Sequence, residues 1–207
     1  MAHLLAPQTG EQILDMCAAP GGKATHLAQL MNDRGCITAT DLNARRIRRI
    51  CESAQRLGLT SIQAVAADAL TSDYLEGLQF DRILLDAPCS GLGVIRRNPE
   101  AKWRLTPAEI SRCAARQHLL IDAAAARLKP AGVLVYATCS TAMEEDETVI
   151  KDFLSRHPEF VVENGAQFFP AWTDLFDCSG YLRAWPHRHG TDGFFAARLR
   201  RVMQSPS

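Results

Sequence analysis

Short apolar runs alternate with amphipathic stretches along most of the chain. The apolar runs cover residues 13–15, 36–40, 62–67, 82–85 and 132–137, and each has the length of a β-strand. Three stretches show helix patterns. In residues 43–57 apolar side chains recur every three or four positions, and the stretch from 106 to about 129 starts with a capping box. The third, 144–156, begins with an acidic turn. Strands that alternate with helices predict βαβ units, and therefore an α/β fold with a mostly parallel sheet.

Acidic or thiol side chains mark the ends of the five predicted strands. Asp15, Asp41, Asp68 and Asp86 close the first four apolar runs, and Cys139 follows the fifth. Ligands of open parallel sheets bind in the crevice at the carboxyl ends of the strands. The chemistry of this chain is therefore predicted to lie at that edge of the sheet.

The C-terminal part follows a different pattern. Residues 160–162 and 193–199 predict two further strands, which gives a sheet of about seven strands. An aromatic-rich stretch at about 163–192 shows no periodicity and predicts an irregular loop, of a length that is usually functional or poorly ordered. With 207 residues, 47% of them apolar and 22% charged, residues 1–207 are expected to form a single globular domain.

Basic and acidic residues balance over the whole chain but not locally. The formal net charge is +0, which argues against a protein that binds nucleic acid over its entire surface. Residues 42–58 nevertheless carry +4 (five arginines, one glutamate), residues 87–104 carry +3 (four basic, one acidic) and residues 141–152 carry −4 (one lysine, five acidic). The segment 87–104 adjoins a predicted strand end and is a candidate for binding phosphate groups.

The cysteines indicate a reducing environment. The seven cysteines are odd in number and contain no C-x-x-C pair, which argues against a disulfide framework and a zinc site. No secretory signal and no apolar run near the roughly 18 residues of a membrane span is present in this sequence. We therefore expect a cytoplasmic protein with reduced thiols, no metal and no membrane contact. Cys36, Cys51, Cys113 and Cys178 are expected to be small buried packing residues.

A glycine-containing loop follows the first strand at residues 15–23. It lacks the first glycine and the final Ser/Thr of a phosphate-binding P-loop, and it lacks the third glycine of a dinucleotide fingerprint. S-adenosylmethionine fits better, because it has no phosphate and needs only a close backbone approach. Asp41 is placed for the ribose hydroxyls of this cofactor and Asp68 for its adenine.

Two cysteines lie beside this predicted cofactor site. Cys89 follows the fourth strand, close to Asp86, and Cys139 follows the fifth. Neighbouring parallel strands lie about 4.8 Å apart, so both loops can reach one cleft. A thiolate that adds to C6 of cytosine makes C5 nucleophilic toward a methyl donor, and a carboxyl group near N3 stabilises the activated ring. The residues alone do not decide which thiol attacks.

Several motifs carry a resemblance to a known family. The chain resembles the RNA cytosine-C5 methyltransferases of the Nol1/Nop2/Sun family, and GVIRRNP at 93–99 through Trp103 points to its ribosomal small subunit methyltransferase B (Fmu/Sun) branch. The resemblance rests on CAAPGGK at 17–23, DAPCSG at 86–91, ATCS at 137–140 and DGFF at 192–195. It extends from about residue 3 to residue 199. The family often has Pro-Glu-Glu-Asn where this chain has Met143-Glu144-Glu145-Asp146.

The resemblance implies a role for each site residue. It makes Cys139 the nucleophile and Cys89 the thiol that helps to release the product. Asp86 is placed at the activated base by the residue chemistry described above. The residues that the resemblance places around S-adenosylmethionine are Cys17, Ala18, Ala19, Pro20, Gly21, Gly22, Lys23, Asp41, Asp68 and Asp86. It also implies a Rossmann-like class I methyltransferase fold whose last strand is antiparallel.

The function implied is methylation of cytosine C5 in small-subunit (16S) rRNA through a covalent cysteine–C6 adduct. The same chemistry on another RNA, such as tRNA, is an open alternative, and so is a non-catalytic module that binds RNA or the cofactor during ribosome assembly. Two thiols and a carboxylate at one strand edge argue against the non-catalytic alternative. We expect a monomer. The N-terminal RNA-binding region that such enzymes usually carry is not recognised in this sequence.

Overall fold

A single mixed sheet forms the centre of the computed structural model, which describes residues 1–103 and 105–203. Its strands run in the order β3-β2-β1-β4-β5-β8-β6, with β7 paired to β8. The strands are β1 (Gln12–Asp15), β2 (Cys36–Asp41), β3 (Ile62–Ala66), β4 (Phe80–Asp86), β5 (Leu128–Thr138), β6 (Phe160–Val162), β7 (Leu182–Ala184) and β8 (Phe194–Arg201).

Strand directions agree with the α/β prediction. β1 to β5 pair in parallel, and β8 runs antiparallel to β5, with Thr138 opposite Phe195 and Val133 opposite Arg200. The parallel sheet and its antiparallel last strand are therefore confirmed.

The number of strands differs from the predicted seven. β6 and β7 lie end to end along the outer edge of β8, so the described residues form eight strands. β7 has only three residues, too few to show a periodic pattern, and it lies within the stretch 163–192 that was predicted to be irregular. That stretch also contains short helices, so the prediction of an irregular loop is wrong.

Helices cover both faces of the sheet. They are α1 (Ala2–Leu5), α2 (Gly22–Leu30), α3 (Ala44–Arg56), α4 (Pro107–Ala126), α5 (Glu147–Arg156), α6 (Gly165–Phe168) and α7 (Pro186–His189), with 3₁₀ turns at Asp73–Leu75, Leu92–Val94, Pro99–Trp103 and Pro170–Leu175. The Thr106 side chain caps α4 as its capping-box motif predicted. None of the helices in the described ranges is long and apolar enough to cross a membrane.

The core consists of two apolar layers, one on each side of the sheet. Successive residues of β4 alternate between them: Ile83 and Leu85 lie in the layer that contains α4 and α5, and Leu84 lies in the layer that contains α1 and α2. A strand covered on both faces reads as a continuous apolar run, which is why the pattern identified β4 so clearly. Because both faces of the sheet are covered, ligands have access to it at the carboxyl ends of the strands.

Candidate active site

A cavity of about 770 Å³ opens at the carboxyl ends of the parallel strands. Of the residues proposed from the sequence, those that line it are Cys17, Ala19, Asp41, Asp68, Asp86, Cys89 and Cys139. Ala18, Pro20 and Gly21 belong to the same β1–α2 loop, and Gly22 and Lys23 begin α2; these five residues do not line the cavity. Loops from five separate strands therefore meet at one cleft, as the strand-end pattern predicted.

Gly21 gives the loop after β1 its shape. Its φ of 105° lies in the region that L-amino acids avoid, and an added Cβ would lie 3.0 Å from the Cα of Ile50. The Gly21 amide donates to the Ala18 carbonyl at 2.8 Å, which closes the turn before α2. Glycine is required here for both conformation and space, so the loop backbone can lie against α3 and still border the cavity.

Asp41 and Asp68 lie at neighbouring strand ends and are oriented by local hydrogen bonds. The Asn43 amide donates to Asp41 Oδ1 at 2.9 Å, and the Leu70 amide donates to Asp68 Oδ1 at 3.0 Å. Arg46 lies 3.4 Å from Asp41 Oδ2 and donates to the Ala19 carbonyl at 2.7 Å. Arg46 thus joins the glycine loop to β2, and it lines the cavity itself.

Lys23 and Asp86 form an ion pair between α2 and the end of β4. Lys23 Nζ lies 2.6 Å from Asp86 Oδ2, with each side chain about one-third exposed. Burial lowers the pKa of Lys23, but the charge of Asp86 and its hydrogen bond outweigh that effect and leave the pKa above its usual value. The lysine therefore stays protonated and places a positive charge beside the thiols.

The two loop thiols are in direct contact. Cys89 Sγ and Cys139 Sγ are 3.2 Å apart and both cysteines are free. The hydrogen bond with Cys89 lowers the pKa of Cys139 against the opposing effects of burial and Asp86, and Lys23 helps to lower it. The same hydrogen bond and burial raise the pKa of Cys89 far above its usual value. Cys139 is therefore the thiol that ionises more easily, and once it is a thiolate the Cys89 thiol donates the hydrogen bond between them.

The family model of "16S rRNA methyltransferase RsmB/F" matches residues 2–200. This chain belongs to that family. The resemblance drawn from the motifs is therefore confirmed, and it extends over nearly all of the described residues.

Individual relatives agree with the family assignment. The chain is 42% identical to the probable ribosomal RNA small subunit methyltransferase B of Bacillus subtilis, covering 97% of this chain and 45% of that protein. It is 44% identical to ribosomal RNA small subunit methyltransferase B of Yersinia pseudotuberculosis, covering 95% of this chain and 43% of that protein. The chain thus spans less than half the length of these curated relatives.

A solved structure of similar fold carries a ligand. NSun6 from Pyrococcus horikoshii, solved with SFG, is 36% identical and superposes with a TM-score of 0.85, covering 98% of this chain and 51% of that chain. SFG is an analogue of S-adenosylmethionine. The class I methyltransferase fold expected from the motifs is confirmed by this family of structures.

Glu145 is a site residue that the sequence analysis did not single out. Its buried carboxylate accepts hydrogen bonds from the Ser90 amide at 2.8 Å, from the Ser140 hydroxyl at 2.6 Å and from Gln117 Nε2 at 3.1 Å, and the Ser90 hydroxyl also donates to it. Ser90 and Ser140 directly follow Cys89 and Cys139. One carboxylate therefore holds both thiol-bearing loops together.

The position of Glu145 corrects the predicted start of α5. The acidic stretch predicted a helix from residue 144, whereas α5 begins at Glu147. Glu145 and Asp146 are buried, with exposed fractions of 0% and 1%, and Asp146 accepts a hydrogen bond from the Thr138 hydroxyl at 2.7 Å. Burial raises the pKa of Asp146 to about 7. These two carboxylates support the active-site loops instead of forming a solvated first turn.

The remaining cysteines only partly follow the expectation of buried packing. Cys51 and Cys178 are exposed, and Cys36 and Cys113 are half-buried, so the prediction that all four are buried is wrong. Helix periodicity alone did not distinguish Cys51 from its buried neighbour Ile50. Cys113 lines the cavity. Burial raises the pKa of Cys17 to about 12, so this loop cysteine remains a thiol.

Asp15, at the end of β1, has a carboxylate that is completely buried and lacks a hydrogen-bond partner on either oxygen. Burial raises its pKa to about 7, and the charges of Asp86 and Asp41 add to the rise against that of Lys23. The sequence analysis noted Asp15 as a strand end but assigned it no role. Within residues 1–103 and 105–203 no cluster of three or more His, Cys, Asp or Glu side chains forms a metal site.

Asp15 should make the stability of the fold depend on pH. Between about pH 4 and 7 the folded chain holds a proton at Asp15 that the unfolded chain has released, so stability falls as the pH rises. We expect Asp15→Asn to make this decline shallower by about 1.4 kcal/mol per pH unit, measured by urea unfolding at about pH 5 and 6.5. Asp174→Asn, at an exposed position, is the control. Equal slopes for Asp15→Asn and wild type would contradict the assignment.

Proposed function

We propose that this chain is the catalytic domain of an S-adenosylmethionine-dependent methyltransferase that acts on cytosine C5 of small-subunit rRNA. The observation that carries the proposal is the pair of thiols 3.2 Å apart at the mouth of a cavity that also contains Asp86. The chain's family and the printed names of its relatives support the reaction class and an rRNA substrate.

The chemistry of the cavity lining supports S-adenosylmethionine as the cofactor. Asp41 and Asp68 present carboxylates for the ribose and the adenine, while Leu42 and Leu119 present apolar side chains that are 61% and 57% exposed. When bound there, the cofactor would supply an electrophilic methyl group.

In the proposed mechanism Cys139 is the nucleophile. Its thiolate forms a bond to C6 of cytosine, and the electron pair of the C5–C6 double bond moves into the ring toward N3. N3 takes up a proton from solvent, which it gives back when aromaticity is restored, and its N–H donates a hydrogen bond to the Asp86 carboxylate. C5 thereby becomes nucleophilic toward the methyl group. After transfer a base removes the C5 proton, the C5–C6 double bond re-forms and the Cys139 sulfur leaves as thiolate.

Cys89 and Lys23 assist this nucleophile. Cys89 donates a hydrogen bond to the Cys139 sulfur, which stabilises the thiolate both before attack and when it leaves. Lys23 donates a hydrogen bond to one oxygen of Asp86 and contributes positive charge beside Asp86 and the Cys139 thiol. These contacts support Cys89 as the thiol that aids product release, the role that the family resemblance implied.

We propose that the chain works as one methyltransferase domain, as a monomer and without a metal, in the cytoplasm where rRNA is available. A tRNA substrate and a non-catalytic assembly module are the alternatives. The proximity of the Cys89 and Cys139 sulfurs argues against the second, because binding alone requires no contact between thiols.

Mass analysis of nucleosides tests this function. The chain is incubated with S-adenosylmethionine and either small-subunit rRNA or tRNA, and the RNA is then digested and analysed for 5-methylcytosine. We expect 5-methylcytosine in the rRNA. Its formation in tRNA alone would support the alternative substrate, and cofactor binding without methylation of either RNA would support the non-catalytic module.

Asp41→Ala should weaken S-adenosylmethionine binding by about 10–100-fold, because a charge-assisted hydrogen bond is lost. Calorimetric titration of the cofactor into the folded variant provides the measurement. Asp174→Ala removes an exposed carboxylate that does not line the cavity and should leave the affinity unchanged. Unchanged affinity in Asp41→Ala would exclude Asp41 from the cofactor site.

A further inference from the structure

Two adjacent arginines are held by one buried carboxylate near the thiols. Arg96 Nε lies 2.8 Å from Asp192 Oδ1, and Arg97 Nε lies 2.6 Å from Asp192 Oδ2. Asp192 is only 9% exposed, whereas the arginines are 49% and 68% exposed. In the described ranges the terminal nitrogens of both guanidinium groups have no ion-pair or hydrogen-bond partner. An arginine with a fixed Nε and available Nη groups is suited to bind an oxyanion.

Backbone contacts tie this arginine pair to the catalytic loop. The Gly93 amide donates to the Cys139 carbonyl at 2.9 Å, and the Gly193 amide donates to the Gly93 carbonyl at 2.8 Å. A Cβ at Gly93 would overlap the Gly193 carbonyl, so the close approach requires glycine. The segment with the arginines and the segment with Asp192 are thereby fixed relative to Cys139.

The same segment borders a second cavity, of about 460 Å³. Ser90, next to Cys89, lines it together with Asn98, Glu100 and Ala101. Asn98 directly follows the two arginines in the chain, and Glu109 lines both this cavity and the larger one. The segment that carries the arginines therefore extends from the Cys139 loop to the wall of the second cavity.

We propose that Arg96 and Arg97, oriented by Asp192, bind backbone phosphates of the RNA strand next to the target nucleotide. The proposal rests on the proposed function, because it assigns the RNA a binding site at the same cleft. It also explains how a chain with zero net charge holds a polyanion: the positive charge is fixed beside the reacting atoms. Asp192 acts as a positioning residue in this site.

The salt dependence of RNA binding tests the proposal. Binding of a labelled single-stranded fragment of small-subunit rRNA to the chain is measured by fluorescence anisotropy across a range of salt concentrations. Each phosphate contact on a single strand contributes about 0.7 to the slope of log K against log salt, so Arg96→Ala/Arg97→Ala should lower the slope by about 1.4. Arg96→Lys/Arg97→Lys should keep the slope but bind more weakly, because lysine has no guanidinium fork.

A matched double variant provides the control. Arg156 and Arg200 also bind carboxylates, on Asp122 and Glu163. Arg200 lies opposite Val133, toward the amino end of β5 and away from the carboxyl ends where the thiols lie. Arg156→Ala/Arg200→Ala removes the same charge and should leave the slope within error of wild type. Thermal unfolding of each variant shows whether it still folds. If the two arginines had only a structural role, the substitutions would lower the melting temperature without changing the salt slope of RNA binding.

The outcomes separate this proposal from the proposed function. A wild-type slope in Arg96→Ala/Arg97→Ala, or an equal decrease in the control, overturns the phosphate site even if the wild-type chain methylates rRNA. A wild-type chain that binds no RNA at low salt also overturns it. If the slope decreases as expected but no 5-methylcytosine forms, the phosphate site stands and the catalytic proposal fails.

Discussion

Cys139→Ala is expected to lower the rate of RNA methylation by about 10⁴-fold or more, because no other group can form the covalent bond to C6. Cys139 is the thiol whose pKa is lowered, by the hydrogen bond from Cys89 and by the charge of Lys23. Cys89 is not expected to replace it, because burial raises the pKa of Cys89 and this effect remains when the Cys139 thiol is removed. Methyl transfer from labelled S-adenosylmethionine to small-subunit rRNA gives the rate.

Denaturing gel electrophoresis gives a second readout of the same chemistry. With cofactor and RNA present, Cys139→Ala should form no denaturation-resistant protein–RNA adduct, whereas Cys89→Ala should accumulate one because release is impaired. Cys89→Ser keeps a hydrogen-bond donor beside Cys139 and should accumulate less adduct than Cys89→Ala. Turnover by Cys139→Ala, or an adduct in that variant, would show that Cys139 is not the nucleophile.

Glu145→Gln is expected to lower both stability and activity, because Glu145 holds the two thiol-bearing loops. The substitution keeps the size of the side chain but exchanges a carboxylate for a neutral amide in its hydrogen bonds with Ser90, Ser140 and Gln117. Hydrogen bonds to a charged group are stronger than neutral ones, so the exchange should cost about 2 kcal/mol and lower the melting temperature of a chain of this size by about 4–8 °C. If the loops that carry Cys89 and Cys139 are displaced, the methylation rate should fall by about 10–100-fold.

Glu144→Gln is the matched control for this effect. Glu144 is the exposed neighbour of Glu145, so the same substitution should change stability by less than about 0.5 kcal/mol and leave activity unchanged. Calorimetric melting and the methyl-transfer rate are compared for the two variants. If they behave alike, the hydrogen bonds of Glu145 do not position the thiols.

The amino-acid pattern alone was sufficient for the architecture of the first five strands. A parallel strand is buried on both faces and appears as an uninterrupted apolar run, and β4 and β5 show this directly. Because ligands bind where such strands end, Asp41, Asp86 and Cys139 could be assigned to one cleft without a structure. The cavity contains all three. The antiparallel last strand, by contrast, was implied by the family resemblance.

Features that depend on contacts between residues far apart in the chain could not be predicted from the apolar pattern. The acidic stretch at 144–147 resembles a solvated helix start, yet the burial of Glu145 depends on Ser90, 55 residues away. The three residues of β7 become a strand only because β8 offers a free edge beside β6. Local periodicity contains no information about such partners, since it reports only which face of an element is apolar.

The division between sequence and tertiary structure is clearest at the thiols. The motifs around Cys89 and Cys139 determined which residues belong to the site and, through the family resemblance, which chemistry to expect. Only the fold brought the two sulfurs to 3.2 Å, paired Lys23 with Asp86 and placed the arginines on Asp192. Ionisation depends on burial and on charges within a few ångströms, and these distances are set when the strands and loops pack together.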